Sequence, residues 1–381
     1  MDGTSAAVLL LVKGTLALLG CGSNDDATPA YDWQLPPGLP APLVPEDNPM
    51  SAAKVELGRR LFYDRRLSGN ATQSCGSCHQ PSLAFGDGKA TPVGSTGDVV
   101  SRNSPSIVNA AYFTSLTWMN PKLTSLEAQV LVPLFADAPK ELAAAAHLPK
   151  LLERLRTDAV YAPLFTAAFA DEATRYSTTS VTRALACFVR SLISANTPYD
   201  RYTYGGDDDA ISESAKRGLA LFNSDKAECY HCHGGPNFSV SFRSADTADA
   251  PAAFFNTGLY NVGGRGSYPA PNVGIQELTG RSQDNGKFRP PSLRNVALTA
   301  PYMHDGSVAT LEEVVELYNQ GGRNVTEGPN AGDGRLHPHK DPLVHPLRLS
   351  EQDKADLVAF LRSLTDEPLS TNPRFADPWR E

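Results

Sequence analysis

Cys75-Gly76-Ser77-Cys78-His79 reads C-x-x-C-H. At this spacing two thiols can form thioether bonds to the vinyl groups of a c-type haem while the adjacent imidazole reaches the iron. The pattern returns at Cys229-Tyr230-His231-Cys232-His233. One copy could be chance or half of a zinc site. Two copies, each with His directly after the second Cys, predict two covalent haems in one chain. The competing reading is a structural Cys₄ zinc site built from both pairs. It leaves His79 and His233 without a purpose.

Outward from each motif the chain repeats itself. Lys54 to Tyr63 has helical periodicity and leads into the first motif; Lys216 to Phe222 leads into the second. Both carry a Gly followed by a Leu-Phe pair. Pro105-Ser106-Ile107-Val108-Asn109 matches Pro291-Ser292-Leu293-Arg294-Asn295, and Ser125-Leu126-Glu127 matches Thr310-Leu311-Glu312. Each half therefore reads as helix, haem motif, long loop, P-S-x-x-N turn and a distal helix. Leu148 to Ala170 and Ser180 to Ser194 read as amphipathic helices, and Ser350 to Leu364 as a last one. The expected fold is mainly α, with two cytochrome c-like haem domains in tandem and long loops. The expected divisions are a signal segment over 1–21, a Pro-rich extended linker over 22–48, an N-terminal haem domain over 49–205, a C-terminal haem domain over 206–370 and a tail over 371–381.

The chain has 381 residues, 41% hydrophobic and 20% charged, with a formal net charge of −8. That length is enough for two domains. The acidic balance, without a basic run, argues against a nucleic-acid partner. Of six Cys, the motifs use four. Cys187 lies in an apolar helical stretch and reads as a buried free thiol. Leu18-Leu19-Gly20-Cys21 closes a short apolar segment and resembles a lipoprotein cleavage site. Cys21 would then carry a lipid anchor, the sole membrane contact expected; a plain secretory signal is the alternative. Either way, export to the periplasm is expected, as covalent haem also suggests. His337, His339 and His345 lie in a Pro-rich loop, where a metal site and a plain loop both remain open. Glu351, Asp353 and Asp356 read as a solvated helix face.

The sixth position on each iron decides the chemistry. In the second half Thr310 and Glu313 form a capping box. Leu311, Val314, Val315 and Tyr318 then share one face. Periodicity leaves Tyr318 open between a core tyrosine and a ligand. The corresponding first-half position is Pro133, which has no ligating atom, and no His occurs between His79 and His147. The first haem is expected to be five-coordinate and able to bind a small molecule.

Over nearly all of residues 50–365 the sequence resembles the bacterial di-haem cytochrome c peroxidase superfamily. The residues that carry this are both C-x-x-C-H motifs, Arg102-Asn103, the second P-S-x-x-N turn and Ala300-Pro301-Tyr302-Met303-His304-Asp305-Gly306. Tyr at position 318, fourteen residues after His304, is the pattern of the MauG/MbnH branch where the peroxidases have Met. Thr117-Trp118, Leu123 to Glu127 and Pro133-Leu134-Phe135 resemble the MbnH members, found in methanobactin gene clusters.

The resemblance implies a set of roles. His79 is the proximal ligand of the open haem, and His233 and Tyr318 ligate the other; Cys75, Cys78, Cys229 and Cys232 hold the haems. Gln129 and Glu141 are similar to distal polar residues, Pro133 to the distal-pocket proline and Trp118 to a tryptophan between the haems. By residue type alone, Trp118 reads more readily as a core aromatic and Gln129 as a solvated helix residue. Asn103, Thr299 and Pro301 match an inter-haem calcium site. The tryptophan that MauG has two residues before its second motif is Ala227 here, so the electron route to a partner must differ. The implied activity uses hydrogen peroxide to reach a high-valent state shared by two haem irons. That state oxidises a tryptophan to kynurenine on a partner protein, the copper-binding protein MbnP. The alternatives are a peroxide-scavenging cytochrome c peroxidase fed by a small electron donor, and a two-haem electron carrier.

Overall fold

A computed structural model describes Met1 and residues 31–380. The signal segment, Cys21 and residues 22–30 of the expected linker lie outside this range. Helices dominate, separated by long loops. The strands among the described residues are two antiparallel two-residue pairs, Phe255–Asn256 with Lys287–Phe288 and Asn324–Val325 with Gly332–Asp333.

Three helices recur in each half. A leading helix spans Ala52–Tyr63 in the first and Glu213–Phe222 in the second. A distal helix spans Leu126–Phe135 and Leu311–Asn319, and a closing helix Thr178–Ser191 and Glu351–Ser363. Leading and distal helices both pack on the closing helix. All six have a Ser or Thr N-cap whose side chain accepts a backbone N–H of the first turn, which satisfies a donor that helix geometry leaves orphaned. The capping box of Thr310 with Glu313 is present.

The two P-S-x-x-N turns are built alike. Asn109 and Asn295 are both left-handed, at φ 58° and 61°. Their backbone N–H groups donate to Leu192 and Leu364 carbonyls at 2.8 Å, each the residue that caps its closing helix. Their Oδ1 atoms accept from the backbone two residues further on, Ser194 and Asp366, at 2.8 and 2.7 Å. Asparagine suits this place because it tolerates positive φ and its amide can mimic a backbone turn.

The first core gathers Leu57, Leu61, Phe62, Phe85, Leu134, Leu185 and Phe188. The second gathers Phe222, Phe238, Leu311, Val315, Leu357 and Phe360. Phe375 of the tail returns to the first core, where its carbonyl accepts from the Tyr63 hydroxyl at 2.6 Å. Residues 31–48 carry no helix or strand, yet they lie against the body. The Pro40 carbonyl takes the Tyr112 hydroxyl at 2.8 Å, and the Asn48 amide reaches Glu127 at 2.7 Å.

Two sequence expectations need correction. Leu148 to Ala170 is two helices, Leu148–Thr157 and Tyr161–Ala168. Asp158 sits at the break and accepts the Val160 N–H at 2.8 Å, as Asp does at a turn. Asp356 is buried, not part of a solvated face. It takes Arg217 through two bonds of 2.8 and 2.9 Å and also Ser214. The Arg217 bonds hold its carboxyl below the usual carboxylate range. A depressed carboxylate stabilises the fold above its unfolded pKa, about 4, and that contribution fades as pH falls below it. Asp356→Asn should therefore flatten the acid limb of thermal stability between about pH 5 and pH 2, measured by calorimetry against the parent chain. An unchanged limb would show that this pair contributes nothing.

Candidate active site

Two cavities open in the structure, one per half. Cys75, Cys78 and His79 border the first and Cys229, Cys232 and His233 the second. None of the four cysteines is in a disulfide. His79 Nδ1 lies 2.8 Å from the Phe85 carbonyl, and His233 Nδ1 lies 3.2 Å from the Phe238 carbonyl. A carbonyl only accepts, so each Nδ1 carries the proton and each Nε2 keeps its lone pair for a metal. Burial lowers both imidazoles, His233 to about 4, so both are neutral at pH 7.

The repeated turns set this orientation. The Ser106 hydroxyl donates to the Ala84 carbonyl at 2.6 Å, and the Ser292 hydroxyl to the Asn237 carbonyl at 2.7 Å. Each carbonyl belongs to the residue just before the Phe that holds the histidine. The serine of each P-S-x-x-N turn thus fixes the loop that aims the ring.

Gln129, Pro133, Glu141, Asn103 and Trp118 all border the first cavity. Pro133 lies inside the distal helix and has no N–H to offer the carbonyl four residues back. Its own carbonyl accepts the Leu142 N–H at 2.9 Å, which draws Glu141 to the cavity edge. Burial raises the Glu141 carboxyl above its usual range. Gln129 Oε1 is enclosed without a hydrogen-bond partner among the described residues. Trp118 borders both cavities, and its indole N–H donates to the Asn103 carbonyl at 2.9 Å.

Tyr318 borders the second cavity. Its hydroxyl makes no hydrogen bond among the described residues, and burial holds it above the usual phenol range. Met303 and His304 border the same cavity. The His304 ring stacks on Phe288, with centroids 3.8 Å apart, and its Nε2 is enclosed.

Asn103 donates its backbone N–H to the His304 carbonyl at 2.8 Å and its amide to Lys89 at 2.7 Å. Its Oδ1 and the Thr299 and Pro301 carbonyls carry no hydrogen bond among the described residues. Neutral oxygens of this kind suit Ca²⁺, which takes six to eight of them. The histidine-rich loop does not converge. His337 is buried, its Nδ1 held by the Asn256 amide at 3.2 Å, whereas His345 pairs with Glu228 at 3.0 Å.

The sequence reading missed Arg289, buried beside Trp118. Arg102, singled out in the sequence only with Asn103 as part of the resemblance and given no role there, borders the first cavity and pairs with Glu277. No local pattern marks Arg289, which is defined by a partner and a cavity distant in the chain.

Two cavities, each edged by a Cys pair and an oriented neutral imidazole and otherwise largely apolar, fit a di-haem c-type cytochrome. Relatives refine that class. The family model for di-haem cytochrome c peroxidase matches residues 52–209. Cytochrome-c peroxidase IdrP1 of Pseudomonas sp. strain SCT is 38% identical over 95% of this chain and 92% of its own. Methylamine utilization protein MauG of Methylorubrum extorquens is 35% identical over 96% and 92%. The crystal structure of a MauG-like protein associated with microbial copper homeostasis superposes with a TM-score of 0.90 at 49% identity, covering 92% of this chain and 100% of that one. The chain belongs to the di-haem cytochrome c peroxidase family, in its MauG-like branch, and the family carries two c-type haems. No helix among the described residues is long and apolar enough to cross a membrane.

Proposed function

We propose that this protein is a periplasmic enzyme that uses hydrogen peroxide to oxidise a tryptophan on a partner protein. The observation that carries the reading is the asymmetry between the cavities: a phenol without a hydrogen-bond partner among the described residues borders one, and a proline stands at the matching helical position in the other. The bound haems would supply a site for peroxide at the first cavity and storage for two oxidising equivalents across both.

The chain does the rest. His79 and His233 anchor the irons, and Tyr318 gives a hard oxygen ligand that favours the oxidised metal. Pro133 keeps the distal side of the first cavity without a ligand. Glu141, its carboxyl raised by burial, would exchange a proton with peroxide in general acid–base work, and Gln129 offers its amide at the same cavity. Trp118, bordering both cavities, serves as the relay between them. Asn103, Thr299 and Pro301 hold calcium near that relay. The resemblance to a copper-homeostasis protein supports a copper-binding partner of the MbnP kind, with kynurenine as product. Cys21 as a lipid anchor would keep the enzyme at the membrane surface.

The test is to treat the diferric holoprotein with peroxide beside the candidate partner and follow the partner's tryptophans by mass spectrometry. Conversion without prior reduction and without a small donor is expected. A protein that turns over peroxide only after reduction, with a small donor, is a scavenger instead. Glu141→Gln should slow the peroxide reaction by about 100-fold, read by stopped-flow absorbance, with both haems still attached. A rate within a factor of two of the parent would remove Glu141 from the chemistry.

A further inference from the structure

Three arginines are buried among the described residues: Arg190, Arg289 and Arg294. Arg190 has a carboxylate, Glu127, at 2.8 Å. Arg294 forks onto Asp200 at 2.8 and 3.0 Å. Arg289 is 1% exposed and has only neutral partners. Its Nε donates to the Thr117 carbonyl at 3.0 Å and its Nη1 to the Pro290 carbonyl at 3.3 Å. The Phe113 ring lies 4.6 Å from the guanidinium carbon. Burial pulls it down to about 10 with no carboxylate acting on it, so it is still a cation at pH 7.

An enclosed cation without a counter-charge is strongly unfavourable, and proteins pair such groups. The open side of Arg289 shows where its partner belongs. The residue borders the second cavity beside Trp118, Cys229, Cys232 and His233. Its Nη2 makes no hydrogen bond among the described residues, and unlike the Nε atoms of Arg102 and Arg243 it is not sealed by protein. A guanidinium presents its donors as a planar fork that matches a carboxylate.

We infer that Arg289 binds a propionate carboxylate of the haem in the second cavity, and that this one side chain joins that carboxylate to the strand of chain carrying Trp118. The joint is direct: the Arg289 backbone N–H donates to the Trp118 carbonyl at 2.8 Å while its side chain holds Thr117. The inference needs a haem in the second cavity but not any particular partner protein. Arg289 is a positioning residue, since it acts through the cofactor's edge and the tryptophan backbone.

The test uses the full di-haem protein and two neutral replacements, Arg289→Gln and Arg289→Met, beside Arg289→Lys. Haem content per chain and the midpoint potential of each haem are measured by spectroelectrochemistry at pH 8, with and without added chloride. Partner oxidation is not the readout, so a wrong partner leaves the result intact. Without the cation the ionised propionate favours ferric iron. The ferric-to-ferrous ratio of the C-terminal haem at a fixed potential should then rise by about tenfold, while the N-terminal haem is unmoved and the Lys chain recovers most of the shift. Loss of the C-terminal haem from both neutral chains but not from the Lys chain supports the same pairing. Unmoved potentials in a neutral chain, equal haem loss in all three, or a chloride-dependent potential in the parent would overturn it; the last would mean that a free anion occupies the fork.

Discussion

Tyr318→Phe should give a folded two-haem protein that no longer oxidises its partner. The fold should survive because the hydroxyl makes no hydrogen bond among the described residues. The residue packs against the apolar cluster that holds Leu311, Val315 and Leu357 and against the one that holds Leu259 and Tyr268, and Phe keeps that ring. Deleting a hydroxyl without a protein partner strands no donor or acceptor, so the fold stability should change by less than about 1 kcal/mol. The chemistry should change far more. Outer-sphere changes at metal sites cost about 10–100-fold, and this one removes a proposed ligand outright, so partner oxidation should drop by at least about 100-fold. The low-spin ferric signal of the C-terminal haem should vanish from the electron paramagnetic resonance spectrum.

Tyr318→Met separates the ligand from the packing. A thioether raises the potential of a haem, so this chain should bind both haems but require reduction before it turns over peroxide. That is the behaviour of the scavenging alternative, produced by one side chain. A Phe variant whose ferric spectrum matches the parent would sink the assignment and direct attention to Met303, which borders the same cavity.

The parts of this site that the sequence made legible are those written in local spacing. The C-x-x-C-H motifs declare themselves within five residues. The helical period places Tyr318 on the face of Leu311, Val314 and Val315, and Thr310 with Glu313 marks where that helix starts. The repeat is equally visible, because both asparagine turns need the same left-handed residue and the same serine. Illegible parts are those whose cause lies far away in the chain. Asp356 looked solvated because its neighbours are acidic, and only the approach of the helix carrying Arg217 buries it. Arg289 sits in a Pro-rich loop, and its solitude depends on the absence of a paired carboxylate among the described residues. The returns of the tail and of residues 31–48 to the body rest on scattered hydrogen bonds, such as those at Phe375, Ala376, Pro40 and Asn48, and on apolar contacts, which no periodicity announces.

The other large effect is mechanical. Gly58 and Gly218 occupy the same place in the two leading helices, where each crosses its closing helix. A Cβ on Gly58 would run into the Ala184 carbonyl and come within 2.9 Å of Phe188 Cβ. On Gly218 it would run into the Asp356 carbonyl and come within 2.8 Å of Phe360 Cβ. The obstacle in each case is helix backbone, which cannot rotate aside as a side chain can. A single methyl must therefore lift one helix off the other and loosen Leu57, Leu61 and Phe188 in the first half, or Phe222 and Phe360 in the second. Overpacking costs about 1–3 kcal/mol, and against backbone it falls at the upper end, more than the roughly 1 kcal/mol that Ala gains over Gly inside a helix. The damage should also be local to one half. Phe62 borders the first cavity and Phe222 the second, each on the turn after its glycine. Since thioether bonds keep each haem attached, Gly58→Ala should loosen the surroundings of the N-terminal haem and Gly218→Ala those of the C-terminal one, read by spectra of the two iron sites during denaturant titration. If either variant unfolds at the parent's midpoint, the close helix crossing is not what holds that half together. If both variants perturb the spectrum of the same haem, the two leading helices are not equivalent walls of separate sites.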